Sequence, residues 1–324
     1  MNVSVLGDGA WGTALAQVLA SNGHTVHLWC YNASVAQDIK DNHVNSRYLP
    51  DIILSERIQV DTDITKCIVA SAIICHAVPV NFTRKVLMQA LPAITAEKKW
   101  ILASKGIEQH TLFLPSQLLD DILEFEPTKA IIAGPSFAYD LARLQLTAVN
   151  LACTDQLFAQ EVKRLFSTSY FIMYNTSDII GTQLVSALKN CVALLIGILK
   201  QLGYTDNTQA YVLTRVLEEF TSVVLACGGH EATVYGLAGL GDLILTSLGA
   251  HSKNVMCGKL LAQGKTLDEI KTYFSALPEG VNTTASVYHL AQKYALTLPI
   301  LSSIYKILFE SKSIDILLTV LRAY

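Results

Sequence analysis

A glycine-rich turn close to the start of the chain constrains the fold more than any other feature. Gly7-Asp8-Gly9-Ala10-Trp11-Gly12 has the spacing G-x-G-x-x-G and separates a strand pattern, Val3–Leu6, from a helix pattern, Thr13–Ala20. In such a turn the first glycine permits the sharp bend, the second lets the backbone approach a pyrophosphate, and the third lets helix pack on strand. Because a helix N-terminus attracts anions, the turn predicts a dinucleotide-binding α/β domain. An ordinary strand-to-helix turn is the alternative.

The first half of the chain alternates between strand and helix patterns. Further strand-like apolar runs occur at Thr25–Trp29, Val69–Val78, Trp100–Ala103 and Ile131–Ala133. Short apolar runs separated by helical patterns are typical of a parallel sheet with crossover helices. We therefore predict a Rossmann-like, doubly wound, dinucleotide-binding domain over residues 1–178.

The strand pattern fades after residue 178. Thr266-Leu267-Asp268-Glu269 has the form of a capping box, and Pro299 suits the first position of a helix. We therefore predict an all-helical substrate or catalytic domain over residues 179–324, with helices at Ile180–Leu199, Thr208–Cys227, Pro299–Glu310 and Ser313–Leu321.

Composition excludes several classes of protein. The chain has 24 Lys and Arg against 27 Asp and Glu, so it lacks the basic excess of a nucleic-acid binder. The most apolar stretch, Leu184–Leu199, includes Lys189 and is shorter than the about 20 residues that cross a membrane, so we predict no membrane span. The start of the chain reads as a strand rather than a signal peptide.

Cysteine and histidine usage indicates neither a disulfide framework nor a metal site. The seven cysteines are scattered without a C-x-x-C pair, and the eight histidines show no metal-ligand spacing. We expect buried thiols in a reducing compartment and no metal.

The end of the second predicted strand leaves the coenzyme undecided. An acidic residue about 20 positions beyond the glycine turn commonly binds the ribose of NAD, and a nearby Arg accommodates the phosphate of NADP. Trp29-Cys30-Tyr31-Asn32 offers neither residue type. Tyr31 is a candidate contact to the ribose or adenine, and an ordinary surface loop is an equal alternative.

Two lysines occupy positions where catalysis is expected. Lys189 is the charged residue of an otherwise apolar helix pattern, and desolvation lowers the pKa of a buried lysine so that it can act as an acid or base. The alternative is a lysine whose ammonium group extends to water. Lys105 follows the strand at Trp100–Ala103, where ligands of open parallel sheets bind, although a surface lysine in a turn is its alternative.

Polar residues in three other turns are candidates for substrate contacts. Ser136, in the turn after Ile131–Ala133, either donates to substrate or caps a helix at Phe137–Ala142. Asp242 either orients a lysine or caps the following turn. Ser252-Lys253-Asn254 offers donors and a cation for a phosphate, with a solvated loop as the alternative.

Six blocks in order resemble the NAD(P)-dependent sn-glycerol-3-phosphate dehydrogenases of the bacterial type. The resemblance covers nearly the whole chain. The blocks are Gly7–Ala16, Ala103–Gly106, Gly134–Ala138, Leu188–Asn190, Ala238–Leu243 and Pro278–Val281. The chain departs from the family pattern at Lys253, where the family usually has Arg, at Asp140, where it usually has Glu, and at Tyr139, where it often has Lys. Val255-Met256-Cys257 also stands where basic residues are common.

The resemblance implies hydride transfer between a nicotinamide coenzyme and carbon 2 of dihydroxyacetone phosphate. It implies catalytic roles for Lys189, Lys105 and Asp242. It implies cofactor contacts from Gly7, Gly9, Ala10, Trp11, Gly12, Tyr31, Lys105, Ala138, Lys253, Leu277 and Glu279. It implies substrate contacts from Lys105, Gly134, Ser136, Lys189, Asp242, Ser252, Lys253 and Asn254. It further implies a cytoplasmic homodimer that supplies glycerol phosphate for phospholipid synthesis. The alternatives are a related NAD(P)-dependent dehydrogenase that acts on another small phosphorylated or hydroxy-acid substrate, and a non-catalytic dinucleotide-binding sensor.

Overall fold

The computed structural model describes residues 1–249, 252–274 and 277–323, which divide into two compact units. Unit 1 comprises Met1–Lys105 and Pro115–Ile179, and unit 2 comprises Gly106–Leu114 and Ile180–Tyr324. The predicted single boundary after residue 178 leaves out one segment. Gly106–Leu114 belongs to the helical unit although it precedes that boundary, because its contacts are with helices that come later in the chain.

Unit 1 is built on an eight-stranded sheet within the described residues. The strands are β1 (Asn2–Leu6), β2 (Thr25–Trp29), β3 (Ile58–Asp61), β4 (Ile73–His76), β5 (Lys99–Leu102), β6 (Lys129–Ala133), β7 (Thr147–Ala152) and β8 (Phe171–Thr176). Their order is β3-β2-β1-β4-β5-β6-β7-β8. The crossover from β3 back across β1 to β4 is that of a dinucleotide-binding sheet, which confirms the predicted Rossmann-like fold.

The sheet is parallel except where β6 meets β7. These two strands pair antiparallel, with Ile131 opposite Ala152. The chain between them contains only a five-residue helix, too little for the crossover that parallel neighbours need. The predicted strand at Val69–Val78 is also shorter than expected, since Ile64–Val69 is helical and the strand spans Ile73–His76.

Helices cover both faces of the sheet. Alternate residues of β4 enter different hydrophobic clusters, with Ile73 and Cys75 in one and Ile74 in the other. Burial on both faces explains why the central strands read as continuous apolar runs. The helices of unit 1 are α1 (Ala10–Ser21), α2 (Ala33–Asn42), α3 (Ile64–Val69), α4 (Val80–Ala90), α5 (Pro115–Ile122), α6 (Ala138–Ala142) and α7 (Gln156–Leu165), with a 3₁₀ turn at Leu91–Ala93.

The described residues of unit 2 form helices joined by turns and loops, with no strand among them. Thr266 and Glu269 form the predicted reciprocal capping box, and Pro299 occupies the first turn of its helix. The helices are α8 (Ile179–Gln201), α9 (Asp206–Ala226), α10 (Glu231–Val234), α11 (Asp242–Leu248), α12 (Lys253–Ala262), α13 (Leu267–Lys271), α14 (Glu279–Lys293), α15 (Pro299–Phe309) and α16 (Asp315–Ala323), with a π-helical turn at Leu237–Gly241.

Helix α8 is longer than its apolar stretch suggests. It has 23 residues, so it is long and apolar enough to cross a membrane. The prediction of no membrane span used only the sixteen residues Leu184–Leu199, so its argument from length does not hold. Yet 89% of the most apolar 18-residue stretch of α8 is buried inside the protein, as in the core helix of a soluble protein. The expected absence of a membrane span stays a prediction.

Candidate active site

The turn between β1 and α1 requires two of its three glycines for steric reasons. Gly7 has φ +117°, and a Cβ there would lie 3.0 Å from the carbonyl oxygen of Ala77. A Cβ on Gly12 would lie 2.0 Å from the carbonyl oxygen of Gly7. Any side chain at these positions would push α1 away from the sheet.

Gly9 has a different environment, which suits a ligand. A Cβ built on Gly9 would meet no heavy atom within 4 Å. Gly9 precedes α1 without a side-chain cap, and the first N–H groups of a helix have no intrahelical partner. Trp11 Nε1 is buried and has no hydrogen-bond partner among the described residues. Open space beside uncapped N–H groups fits a pyrophosphate.

Asp8 and Asn45 brace the same turn. Asn45 is fully buried, and its Nδ2 donates to the main-chain oxygen of Asp8 at 2.9 Å and to Thr13 Oγ1 at 2.8 Å. Asp8 Oδ2 accepts from the main-chain N–H of Asn32 at 3.2 Å, which connects the turn to the end of β2. Tyr31, the predicted ribose contact, is 79% exposed beside this connection. Sequence analysis missed Asn45 because no local pattern marks it.

The carboxyl ends of β4, β5 and β6 lie at one edge of the sheet, since these neighbouring strands are parallel. Lys105 is half-buried just beyond β5. The preceding residue, Ser104, hydrogen-bonds through Oγ to Nδ1 of His76 at 2.8 Å. Burial lowers the pKa of His76 to about 4. His76 is therefore a neutral core residue beside this edge of the sheet.

The turn after β6 supplies the other unit 1 candidates. A Cβ on Gly134 would lie 2.8 Å from Val149 Cα, so glycine lets the turn pass close to β7. Ser136 Oγ donates to the Gly134 carbonyl at 3.0 Å. The following helix begins at Ala138 and has no side-chain cap, so the alternative role of Ser136 as a helix cap is wrong.

Unit 2 contains a buried lysine with a carboxylate partner. Lys189, on α8, is 5% exposed, and Asp242, at the start of α11, is 1% exposed. Lys189 Nζ donates to Asp242 Oδ1 at 2.5 Å and to Thr246 Oγ1 at 2.8 Å. The ammonium group does not extend to water, and Asp242 is a helical residue rather than an N-cap.

Thr246 belongs to this cluster although sequence analysis did not single it out. It lies one helical turn after Asp242, and its Oγ1 donates to Asp242 Oδ1 at 3.3 Å. The spacing i, i+4 on a helix places two side chains on one face. That spacing is the signal that would have identified Thr246 once Asp242 was a candidate.

The residue after Lys189 starts a second polar connection. Asn254 Nδ2 donates to Asn190 Oδ1, and the main-chain N–H of Gly280 donates to Asn254 Oδ1, both at 3.0 Å. A Cβ on Gly280 would lie 2.5 Å from the Asn190 carbonyl oxygen. These hydrogen bonds join α8, α12 and α14. Asn190 Nδ2 is buried without a hydrogen-bond partner among the described residues.

The remaining candidates of unit 2 lie around these helices. Ser252 caps α12 by accepting from the N–H of Val255 at 3.3 Å, and Lys253 is exposed in the first turn. Leu277 is half-buried against the cluster that contains Leu194, and Glu279 is half-buried at the start of α14. Among the described residues no group of three His, Cys, Asp or Glu is arranged to hold a metal.

Comparison with known proteins identifies one family over both halves of the chain. The sequence models described as the N-terminus and the C-terminus of NAD-dependent glycerol-3-phosphate dehydrogenase match residues 2–159 and 178–319. Together they cover most of the chain.

Individual relatives agree with the family models. A glycerol-3-phosphate dehydrogenase [NAD(P)+] of Citrifermentans bemidjiense is 39% identical over 96% of this chain and 93% of its own length. One from Bacillus pumilus is 38% identical over 97% of this chain and 91% of its own length. The crystal structure of glycerol-3-phosphate dehydrogenase from Coxiella burnetii superposes with a TM-score of 0.93 at 31% identity, covering 99% of this chain and 98% of that one. This chain therefore belongs to the NAD-dependent glycerol-3-phosphate dehydrogenase family.

Proposed function

We propose that this protein is an NAD(P)-dependent glycerol-3-phosphate dehydrogenase that interconverts dihydroxyacetone phosphate and sn-glycerol 3-phosphate. The observation that carries the proposal is the buried cluster of Lys189, Asp242 and Thr246 in a chain of this family. A lysine buried beside a carboxylate and a hydroxyl is held in one orientation, which a proton donor needs.

The cluster suits the reduction of a ketone. When bound, the nicotinamide coenzyme supplies the hydride that reduces the ketone carbon. Negative charge then grows on the ketone oxygen, and Lys189 gives it a proton; in the oxidation direction Lys189 takes the proton back. Asp242 and Thr246 hold Nζ in position through hydrogen bonds of 2.5 and 2.8 Å.

The cofactor is proposed to bind mainly at the turn between β1 and α1. The open space at Gly9 and the uncapped start of α1 support a pyrophosphate there. We assign cofactor contacts to Gly7, Gly9, Ala10, Trp11, Gly12, Tyr31, Lys105 and Ala138 from unit 1, and to Lys253, Leu277 and Glu279 from unit 2.

We assign substrate contacts to two sets of polar groups. Lys105, Gly134 and Ser136 follow strands at the sheet edge where ligands of α/β folds bind. In unit 2 the exposed ammonium of Lys253 and the neighbouring Ser252 and Asn254 suit a phosphate. Lysine offers a point charge rather than the planar fork of arginine.

The decisive variant is Lys189→Met, which keeps the length of the side chain and removes its proton. We expect the turnover of dihydroxyacetone phosphate, followed by NADH or NADPH oxidation, to fall by roughly 10²–10⁴-fold or more. Coenzyme binding, measured by the fluorescence of NADH, should persist because the glycine turn is untouched. Wild-type-like turnover in this variant would refute the assignment.

Two controls separate chemistry from folding. Removing the Lys189 ammonium takes away the counter-charge of the buried Asp242 carboxylate, which costs about 3–5 kcal/mol of stability. The double variant Lys189→Met/Asp242→Asn removes that charge and should regain stability while staying inactive. Lys200→Met, also on α8, should keep turnover because Lys200 Nζ donates to the Ser247 carbonyl, whereas Lys189 Nζ makes the hydrogen bonds to Asp242 and Thr246.

We also propose that the protein is a cytoplasmic homodimer whose product supplies phospholipid synthesis. Glycerol 3-phosphate carries the hydroxyl groups and the phosphate that a glycerophospholipid backbone needs. Deleting the gene in its host should therefore make growth depend on added glycerol 3-phosphate, and unaltered growth and lipid content would contradict this role.

A further inference from the structure

A carboxylate lies at the end of β2 although the sequence there contains none. β2 ends at Trp29 and continues through Cys30, Tyr31 and Asn32, without an acid. Asp8 comes from the glycine turn instead, and its Oδ2 accepts from the Asn32 main-chain N–H at 3.2 Å. Its charge therefore occupies the place at which Rossmann folds commonly read the adenosine ribose.

Asp8 is held in place from both sides. Its main-chain oxygen accepts from Asn45 Nδ2 at 2.9 Å and from Thr13 Oγ1 at 3.3 Å. The residue is only 8% exposed, and burial raises the pKa of its carboxyl while the Asn32 N–H and the Arg47 guanidinium act to lower that pKa. A partly desolvated, anchored carboxylate interacts strongly with a second charge because little water screens the pair.

We propose that Asp8 makes the enzyme select NAD over NADP. This inference rests on the proposed function. The carboxylate accepts a hydrogen bond from a ribose hydroxyl, as NAD provides, and repels the phosphate that NADP carries at the same position. The acidic residue that selects the coenzyme therefore stands at the middle position of the G-x-G turn rather than at the end of β2.

Arg47 provides the opposing interaction. It is exposed, and its guanidinium lies 5.2 Å from the centre of the Tyr48 ring. An arginine near the ribose is the usual partner of the NADP phosphate. With Asp8 neutralised, Arg47 loses a nearby opposite charge and becomes more available to that phosphate.

The experiment is a pair of fluorescence titrations that give the Kd of NADH and of NADPH without any ketone present. We expect the wild type to bind NADH about tenfold or more tightly than NADPH, which corresponds to one charge repulsion at a partly exposed site. The side-chain oxygen in Asp8→Asn can still accept from the main-chain N–H of Asn32. In this variant the ratio of the NADPH Kd to the NADH Kd should fall about tenfold, mainly because NADPH binds more tightly. Asp8→Ser is a second uncharged variant.

Salt and a matched control test the electrostatic cause. Raising the ionic strength should reduce the preference of the wild type more than that of Asp8→Asn, since salt screens charge repulsion. Asp61→Asn removes a carboxylate at the end of the neighbouring strand β3 and should leave the preference unchanged. If Asp8 had only a structural role, its substitution would weaken the binding of both coenzymes alike, and salt would change the preference of the wild type and the variant equally.

Each outcome has one meaning. A wild type that prefers NADPH, or Asp8 variants with an unaltered preference, would overturn the assignment of Asp8 and leave the proposed dehydrogenase activity intact. A wild type that binds neither coenzyme would overturn the proposed function as well.

Discussion

At the scale of single residues, the buried pair of Lys189 and Asp242 is a costly way to stabilise the protein. Transferring an ammonium and a carboxylate from water costs several kcal/mol each, and their attraction repays this only with good geometry. Lys189 and Asp242 have that geometry, with a third hydrogen bond from Thr246 Oγ1. Well-packed apolar residues would stabilise the unit at least as well. The proton transfer that we propose for Lys189 would explain the burial of this pair.

His76 makes stability depend on pH. Its pKa is about 4 in the folded chain because of burial, against 6.5 as the ordinary value. Between these values the unfolded chain binds more protons, so stability falls as the pH falls from 6.5 towards 4. The loss from this group should be about 2 kcal/mol between pH 7 and pH 5.

The variant His76→Asn, which cannot titrate in this range, isolates that contribution. Urea unfolding at both pH values should show a shallower pH dependence for the variant than for the wild type, by that amount. Equal pH dependence in the two proteins would mean that His76 is not a neutral buried group in the folded state.

At the scale of elements, glycines decide how α8 and α12 cross. A Cβ on Gly258 would lie 1.9 Å from the Leu194 carbonyl oxygen, and one on Gly197 would lie 2.1 Å from the Val255 carbonyl oxygen. Both obstacles are backbone atoms, which cannot rotate away. Close contact of these helices accompanies the hydrogen bond between Asn190, on α8, and Asn254, on α12.

Gly258→Ala tests this close contact. Alanine is favoured over glycine in a helix by about 1 kcal/mol, but forcing the helices apart costs typically 1–3 kcal/mol or more, and here the clash is with backbone. We expect a net loss of stability in thermal or urea unfolding. Met256→Ala, at an exposed position of α12, should change stability by less than about 0.5 kcal/mol. A Gly258→Ala protein more stable than the wild type would refute the packing argument.

The elements themselves were largely predictable. Helices α1, α8, α9, α15 and α16 lie within a few residues of their predicted bounds, because apolar periodicity, Pro299 and the terminal glycines are local signals. Strands β3, β7 and β8 were not predicted. β8 alternates between buried and exposed residues at the edge of the sheet, and Ile172 and Tyr174 face outward, so it lacks a continuous apolar run.

At the scale of the whole molecule, unit 2 exposes large apolar side chains in the single chain. Single exposed apolar residues are ordinary, but several on successive helices suit a surface that another chain covers. They include Leu225, Tyr235, Ile244 and Leu248. This distribution supports the proposed homodimer.

Light scattering after size exclusion measures the assembly directly. The expected mass is twice the 35.3 kDa of one chain. A mass of one chain at all concentrations would contradict the dimer.

The sequence by itself determined the features that depend on neighbours along the chain: the glycine turn, the helix that starts at Pro299, the capping box at Thr266, and the division into an α/β half and a helical half. These depend on hydrogen bonds and steric contacts within a few residues. Only the tertiary structure decided that Lys189 pairs with Asp242 and Thr246, more than fifty positions away, that Asn45 braces the glycine turn, and that Asp8 reaches the end of β2. The reason is that a buried polar group takes whichever partner packing brings within hydrogen-bond distance, and packing joins residues that no local pattern connects.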